Sequence, residues 1–160
     1  MTILTGTRCL VHATAVAVGN RAALIIGPSG AGKSDLALRA IMTPLRDGAE
    51  TIMVSLVADD QVVIERVADR LIASAPPAIA GKLEVRGLGI LPFAFAPAVA
   101  IHLVVRLMPA SQIERLPDFC ERHTILGVSL PVVAIDGGAA GAPARLVLAL
   151  LRTGVIEQSS

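Results

Sequence analysis

GPSGAGKSDL occupies residues 27–36, directly after the apolar run AALII at 22–26. Residues 27–34 satisfy G-x-x-x-x-G-K-[ST] at every required position. At average residue usage the pattern arises by chance in about one chain in a few hundred. It also has a mechanism. Backbone N–H groups cradle phosphate oxygens, and a Cβ in the loop would hold the backbone away from them. The helix N-terminus that follows adds partial positive charge. Gly27, Pro28, Ser29, Gly30, Ala31 and Gly32 are therefore expected to wrap phosphates. Lys33 would reach the β and γ groups, and Ser34 would offer its hydroxyl to Mg2+. The pattern needs a strand before it and a helix after it. AALII reads as a short buried strand. From Lys33 to Met42, Leu36, Ala37, Ala40 and Ile41 recur at helical spacing. Pro44 stops that helix, because proline lacks an N–H and restricts the residue before it. The expected fold is α/β: a mixed central sheet, the phosphate loop at a strand's C-terminal end and a helix beneath it.

The rest of the chain supports one phosphate-loop domain over residues 1–154, followed by a disordered tail at 155–160. The chain has 160 residues, enough for one core. It is 54% hydrophobic, which fits either a membrane protein or strands buried on both faces of a parallel-rich sheet. The longest apolar stretch, LGILPFAFAPAVAIHLVV at 88–105, is interrupted by Pro92, Pro97 and His102. It reads as several short elements and not as a spanning helix. No secretory signal pattern is present. Formal net charge is +1, from 14 basic and 13 acidic residues, so no electrostatic footprint for nucleic acid or membrane is expected. Aromatics are 2%, with no Trp or Tyr, which leaves no base-stacking surface. Cys9 and Cys120 form no CxxC pair and read as two reduced, packed thiols of a cytoplasmic protein.

Along the chain, RCLVHATAVAVG (8–19) reads as one or two strands ending in a Gly19-Asn20 hairpin turn. RDGAE (46–50) is a polar turn, IMVSLVA (52–58) a strand, and QVVIERV (61–67) a strand that pairs antiparallel. SAPPAIAG (74–81) is a loop, and KLEVRGLGI (82–90) a strand broken by Gly87 and Gly89. AVAIHLVVRL (98–107) and LPVVAI (130–135) are buried strands, the second being the last. DGGAAGAPA (136–144) is a mobile loop. A final helix follows at 144–154, with Pro143 opening it and Gly154 at its C-cap.

Two further sets carry chemistry. Asp59 and Asp60 end an apolar strand, where α/β sheets bind ligands. One acid could hold Mg2+ and the other take a proton from an attacking hydroxyl. Adjacent strand residues face opposite ways, so the two cannot share a job. Viewed alone, the pair could equally be a solvated strand terminus. Glu84 and Arg86 lie two apart on one strand and so share a face. They would suit a metal–phosphate site, or merely a surface ion pair contributing under about 1 kcal/mol.

Taken together, the set resembles the catalytic domain of the HPr kinase/phosphorylase family. Members of that family carry HGVLV about fifteen residues before the phosphate loop, then a GDSGIGKS-type loop, LVADD, an AP loop and LEIRGLGI. Here the order is His12 in LVHATAVAVG, residues 27–34, LVADD (56–60), SAPPAI (74–79) and LEVRGLGI (83–90). IERLP (113–117) resembles the family's Arg-Leu signature. The likeness covers residues 8 to 135, and LEVRGLGI is its most specific element. The resemblance implies a serine kinase that uses ATP and Mg2+ to phosphorylate HPr, the small phosphocarrier of the sugar phosphotransferase system. Many members also run the reverse step, in which inorganic phosphate attacks the phosphoserine and releases pyrophosphate. Carried over by motif, Lys33 and Ser34 bind nucleotide phosphates and Mg2+. Asp60 is the best match to the general base, Asp59 to the metal-side acid, and Glu84 to a further Mg2+ ligand, although spacing leaves the division between the two aspartates open. His12 and Arg115 match the remaining active-site positions. Taken alone, they read as a core strand histidine and a solvated charge. The family also implies a homo-oligomer, a hexamer.

Three departures from the family pattern stand out. The chain starts eleven residues before His12, so it reads as a catalytic domain alone, without the additional N-terminal domain of many members. TPLRDGAET (43–51) looks like an extra loop. Where the family has a basic PVRPGRN-type loop tied to the reverse reaction, AIDGGAAGAPAR offers no cation until Arg145. A loop that gathers phosphate wants cations, so the kinase direction is expected to be kept and phosphorolysis weak or lost.

Overall fold

A computed structural model describes residues 3–5 and 7–153. The expected Gly154 cap and the tail at 155–160 lie outside the described residues. β1 (Ile3–Thr5), β2 (Arg8–His12), β3 (Thr14–Val18) and β4 (Arg21–Ile26) lead into α1 (Lys33–Met42). A small hairpin follows, β5 (Leu45–Asp47) and β6 (Glu50–Ile52), then β7 (Ser55–Ala58), β8 (Gln61–Val67) and β9 (Arg70–Ser74). A second hairpin, β10 (Lys82–Val85) and β11 (Gly89–Pro92), precedes the long β12 (Val99–Leu107). β13 (Arg122–Ile125), β14 (Val128–Ile135) and α2 (Ala142–Leu151) complete the order.

The main sheet has ten strands and is mixed. At its centre, β12 runs parallel to β4 on one side and β14 on the other. Its first residues also pair antiparallel with β9, which begins a wing ordered β9-β8-β2-β1. On the far side β4 pairs with β3 through the two-residue turn Gly19-Asn20, and β3 with β7. Gly19 closes that turn at φ 58°, a value that costs glycine nothing.

Two cores follow from strand alternation. Val16, Ala23, Ile25, Leu103, Val105 and Leu107 face α1 and α2, meeting Leu36, Ala40, Leu146 and Leu150. Ala15, Ala17, Ala22 and Leu24 face the other way, against Ile64, Leu71 and Ala73 of the wing. The sheet therefore curls over itself, and small alanines fill the closest part of that contact. A bulge between Ile101 and Leu103 inverts the parity of β12. Val99 and Ile101 join the wing core as odd positions, Val104 as an even one. One inserted residue thus keeps apolar side chains inward on a strand that serves two partners. Among the described residues, no helix is long and apolar enough to cross a membrane.

Several expectations change. Residues 52–58 do not form one strand; they break between Ile52 and Ser55, and the supposed extra loop is the hairpin β5–β6. KLEVRGLGI folds back on itself as β10–β11, with Gly87 at φ 86° and Gly89 at φ 99°. Arg86 therefore sits in the turn and does not share a strand face with Glu84. Cys9 is buried, and desolvation pushes its thiol pKa up. Cys120 is exposed and not packed; its pKa is raised chiefly by its hydrogen bond to Asp118. The region 136–144 is not a single open loop, since α2 already starts at Ala142 with Pro143 in its first turn. β9 and β13 carry no periodic signal strong enough to predict.

Candidate phosphate-loop site

Residues 27–32 leave the C-terminal end of β4 and enter α1, whose N-cap is Gly32 at φ 93°. No side chain caps this helix. Its first-turn N–H groups are thus left for a ligand. Gly30 stands at φ 80°, and a Cβ built at Gly30 or Gly32 would meet nothing within 4 Å. Conformation, not crowding, demands glycine at these two positions. Gly27 differs: a Cβ there would come within 3.3 Å of Ala31 Cβ and 3.4 Å of Leu107 Cβ. Lys33 is buried and curls back, its Nζ donating to the carbonyls of Gly27 (2.9 Å) and Pro28 (3.0 Å). The ammonium is thus held at the mouth of the loop by uncharged acceptors, with no carboxylate among the described residues neutralising it.

The two aspartates part company just after β7. Asp59 is 5% exposed, and its carboxylate gathers donors from three elements. Oδ1 accepts from Ser34 Oγ (2.6 Å) and Thr14 Oγ1 (2.9 Å). Oδ2 accepts from the backbone N–H of Glu84 (3.2 Å). A buried carboxylate needs such donors, and these tie the phosphate-loop helix, β3 and β10 to one point. Asp60 turns outward, its side chain 66% exposed. His12 Nδ1 lies 3.3 Å from Asp60 Oδ1. Asp60 takes φ 66°, in the left-handed region where a non-glycine residue costs about 1–3 kcal/mol. Its backbone is held there by two hydrogen bonds: Gln61 N–H to the Asp59 carbonyl, and Ala13 N–H to the Asp60 carbonyl. The strand ends at Ala58, so this turn, and not strand alternation, separates the two acids.

Glu84 and Arg86 present exposed side chains on the β10–β11 hairpin, and the Glu84 amide docks that hairpin onto Asp59. Arg115 is exposed in the segment between β12 and β13. Among the described residues, no hydrogen bond or ion pair ties it to the other candidates. Two contributors escaped the sequence reading. Thr14 is a single hydroxyl in an apolar strand, which was the available signal. Arg39, one helical turn beyond Asp35, bonds that carboxylate and donates to the carbonyls of Gly137 and Ala139, closing the 136–141 turn against the loop.

The donor set fits Mg2+ on a triphosphate. Mg2+ takes hard oxygens, usually one or two from protein, the rest from phosphate and water. Ser34 and Asp59 supply a hydroxyl and a carboxylate side by side. Among the described residues, no group of three or more His, Cys, Asp or Glu is placed to hold a metal unaided.

A family profile described as the HPr serine kinase C-terminal domain matches residues 5–153. The chain belongs to that family. Among curated relatives, HPr kinase/phosphorylase of Geobacillus thermodenitrificans is 38% identical over 136 residues, 78% of this chain and 41% of that protein. The Limosilactobacillus reuteri protein of the same name is 33% identical over 136 residues, covering 78% and 40%. That of Chromobacterium violaceum is 31% identical over 161 residues, covering 92% and 48%. The chain thus spans about half, or less, of these relatives. The solved HPr(Ser) kinase/phosphatase from Coxiella burnetii shares the fold, with a TM-score of 0.72 at 22% identity, covering 94% of this chain and 99% of that one. The HPr kinase C-terminal fold is therefore the mixed, curled sheet described above.

Proposed function

We propose that this domain is an ATP- and Mg2+-dependent protein-serine kinase whose substrate is the phosphocarrier HPr. Membership in the HPr kinase family and the names of its relatives support the reaction class. The observation that carries it is the separation of the two acids. Asp59 is sealed against Ser34, while Asp60 is turned outward in a strained turn with His12 beside it.

In this reading the backbone N–H groups of Gly27, Ser29, Gly30, Ala31, Gly32, Lys33 and Ser34 hold the nucleotide phosphates, Pro28 shapes the loop without donating, and Lys33 neutralises their charge. Ser34 and Asp59 hold Mg2+, with Glu84 as the further carboxylate on its side. Bound Mg2+ supplies charge neutralisation on the phosphoryl oxygens. Asp60 takes the proton of the incoming serine hydroxyl, and His12 orients Asp60. Arg86 and Arg115, both exposed, are cations available to the transferring oxygens. Positioning and charge supply most of the rate, as in phosphoryl transfer generally. The kinase domain is residues 1–154, cytoplasmic, and assembles into the hexamer its family resemblance implies.

The reverse reaction is weak here. The Arg145 guanidinium lies beside Gly141, and Arg39 also reaches the 136–141 turn, where three of its five N–H donors are engaged by Asp35, Gly137 and Ala139. That leaves Arg39 two N–H donors for inorganic phosphate. Incubation with HPr and Mg-ATP is expected to add one phosphate to HPr by intact mass. Labelling of small molecules in place of HPr would overturn the assignment. Robust pyrophosphate release from phosphoserine-HPr and inorganic phosphate would overturn the weak reverse step.

A further inference from the structure

We infer that Thr14 is a positioning residue that orients Asp59 and, through it, the Ser34 hydroxyl. The inference rests on the phosphate-loop reading above and adds a residue to it. Thr14 opens β3, whose other four residues, Ala15 to Val18, are apolar. Thr14 is fully buried, at 0% exposure, and its Oγ1 donates to Asp59 Oδ1 at 2.9 Å. The contact spans 45 residues of sequence. Packing alone asks for valine at such a site, since valine has the same shape without a polar atom to satisfy.

The same oxygen, Asp59 Oδ1, accepts the Ser34 hydroxyl proton at 2.6 Å. A serine hydroxyl has one proton and two lone pairs. Once its proton is committed to Asp59, its lone pairs point elsewhere, and the direction of the Asp59 carboxylate decides where. Three donors set that direction: Thr14, Ser34 and the Glu84 amide. Ser34 is itself the group being aimed, and the Glu84 amide belongs to a hairpin whose turn is exposed. Thr14 is the anchor rooted in the rigid sheet. The β2–β3 corner thereby holds both acids at once. Its Ala13 amide fixes the Asp60 backbone, His12 stands beside the Asp60 side chain, and Thr14 grips Asp59.

The test separates orientation from packing. Mn2+ binding to the ADP complex is measured by the electron paramagnetic resonance signal of free Mn2+, alongside the melting temperature and ADP affinity in EDTA. Removing a partner that orients a metal ligand typically weakens metal binding 10- to 100-fold. Thr14→Val is therefore expected to weaken Mn2+ by about tenfold, with ADP affinity in EDTA and melting temperature preserved. Thr14→Ser keeps the hydroxyl and loses a buried methyl, so it is expected to keep Mn2+ affinity and melt lower. Mn2+ binding by Thr14→Val equal to wild type would overturn this inference alone. So would a loss of Mn2+ that tracks melting temperature in both variants. A wild-type protein that holds no Mn2+ with ADP would overturn the phosphate-loop reading and this inference with it.

Discussion

Two strand–turn–helix units lie on either side of β12: β4 into α1 through residues 27–32, and β14 into α2 through residues 136–141. Both turns are glycine-rich, and both start from parallel strands at the same end of the sheet. They use glycine differently. Gly30 and Gly32 stand at φ 80° and 93° with open space where a Cβ would go. Gly137 has no such backbone; a Cβ there would approach Leu107 Cδ1 at 3.3 Å and the Ala31 carbonyl at 3.6 Å. The first turn is shaped to leave a cradle open, and the second is packed shut against it. The helices differ as well. α1 begins with Lys33 and Ser34, whereas α2 begins with Ala142 and Pro143, and proline removes a donor from the first turn. Glycine richness between strand and helix is thus not by itself a phosphate site. Open amides, a cation and a hydroxyl must coincide.

The contrast breaks most visibly at the cations. Lys33→Ala is expected to slow phosphoryl transfer to HPr by about a thousandfold. Arg145→Ala, in the second unit, should leave the rate unchanged, and an equal loss at both would erase the distinction. Asp60→Ala should lower transfer by about a hundredfold while ADP still binds, as monitored by calorimetry. An undiminished rate would remove Asp60 from the chemistry.

Backbone changes sharpen the same contrast by equilibrium urea unfolding. Gly32→Ala forces a Cβ into a left-handed position and should cost about 1–2 kcal/mol. Gly137→Ala meets its tightest contact at the tip of a flexible leucine, with the Ala31 carbonyl at ordinary van der Waals distance, and should cost less. Arg39→Gln releases the 136–141 turn from α1. Stability should fall by about 1 kcal/mol, and amide exchange at 137–139 should quicken. Unchanged exchange would mean that Arg39 does not hold the turn.

The smallest effect lies away from both turns, at His102, whose pKa is lowered mainly by burial and further by Arg21 and Arg70, against a hydrogen bond to Ala100. The unfolded chain therefore binds this proton at higher pH than the folded one. Stability is full above the ordinary histidine value of 6.5 and falls as pH drops through the lowered folded value. His102→Gln should flatten part of that fall in melting temperature, whereas an identical profile would place the titration elsewhere, at His123 for instance, also lowered by burial.

Much of this was legible from local signals. The α1 boundaries, the hairpin at Gly19-Asn20 and the buried β12 followed from periodicity and turn chemistry, which depend on near neighbours. Arg86 was misplaced because Gly87 and Gly89 read as a strand irregularity, when two positive-φ glycines in fact reverse the chain. β9 and β13 were missed because short strands owe their form to partners distant in sequence. Thr14 was passed over because a lone hydroxyl in an apolar strand has meaning only once its partner is known.

What residues 27–36 settled unaided is the phosphate-loop unit and the α/β class, because glycine conformation, helix start and cation position are matters of adjacent atoms. The different settings of Asp59 and Asp60 came only from the folded chain. Their chemistry is identical, and what separates them is burial against Thr14, Ser34 and Glu84 for one, and a strained turn beside His12 for the other. Those partners lie tens of residues away along the chain, and folding alone brings them together.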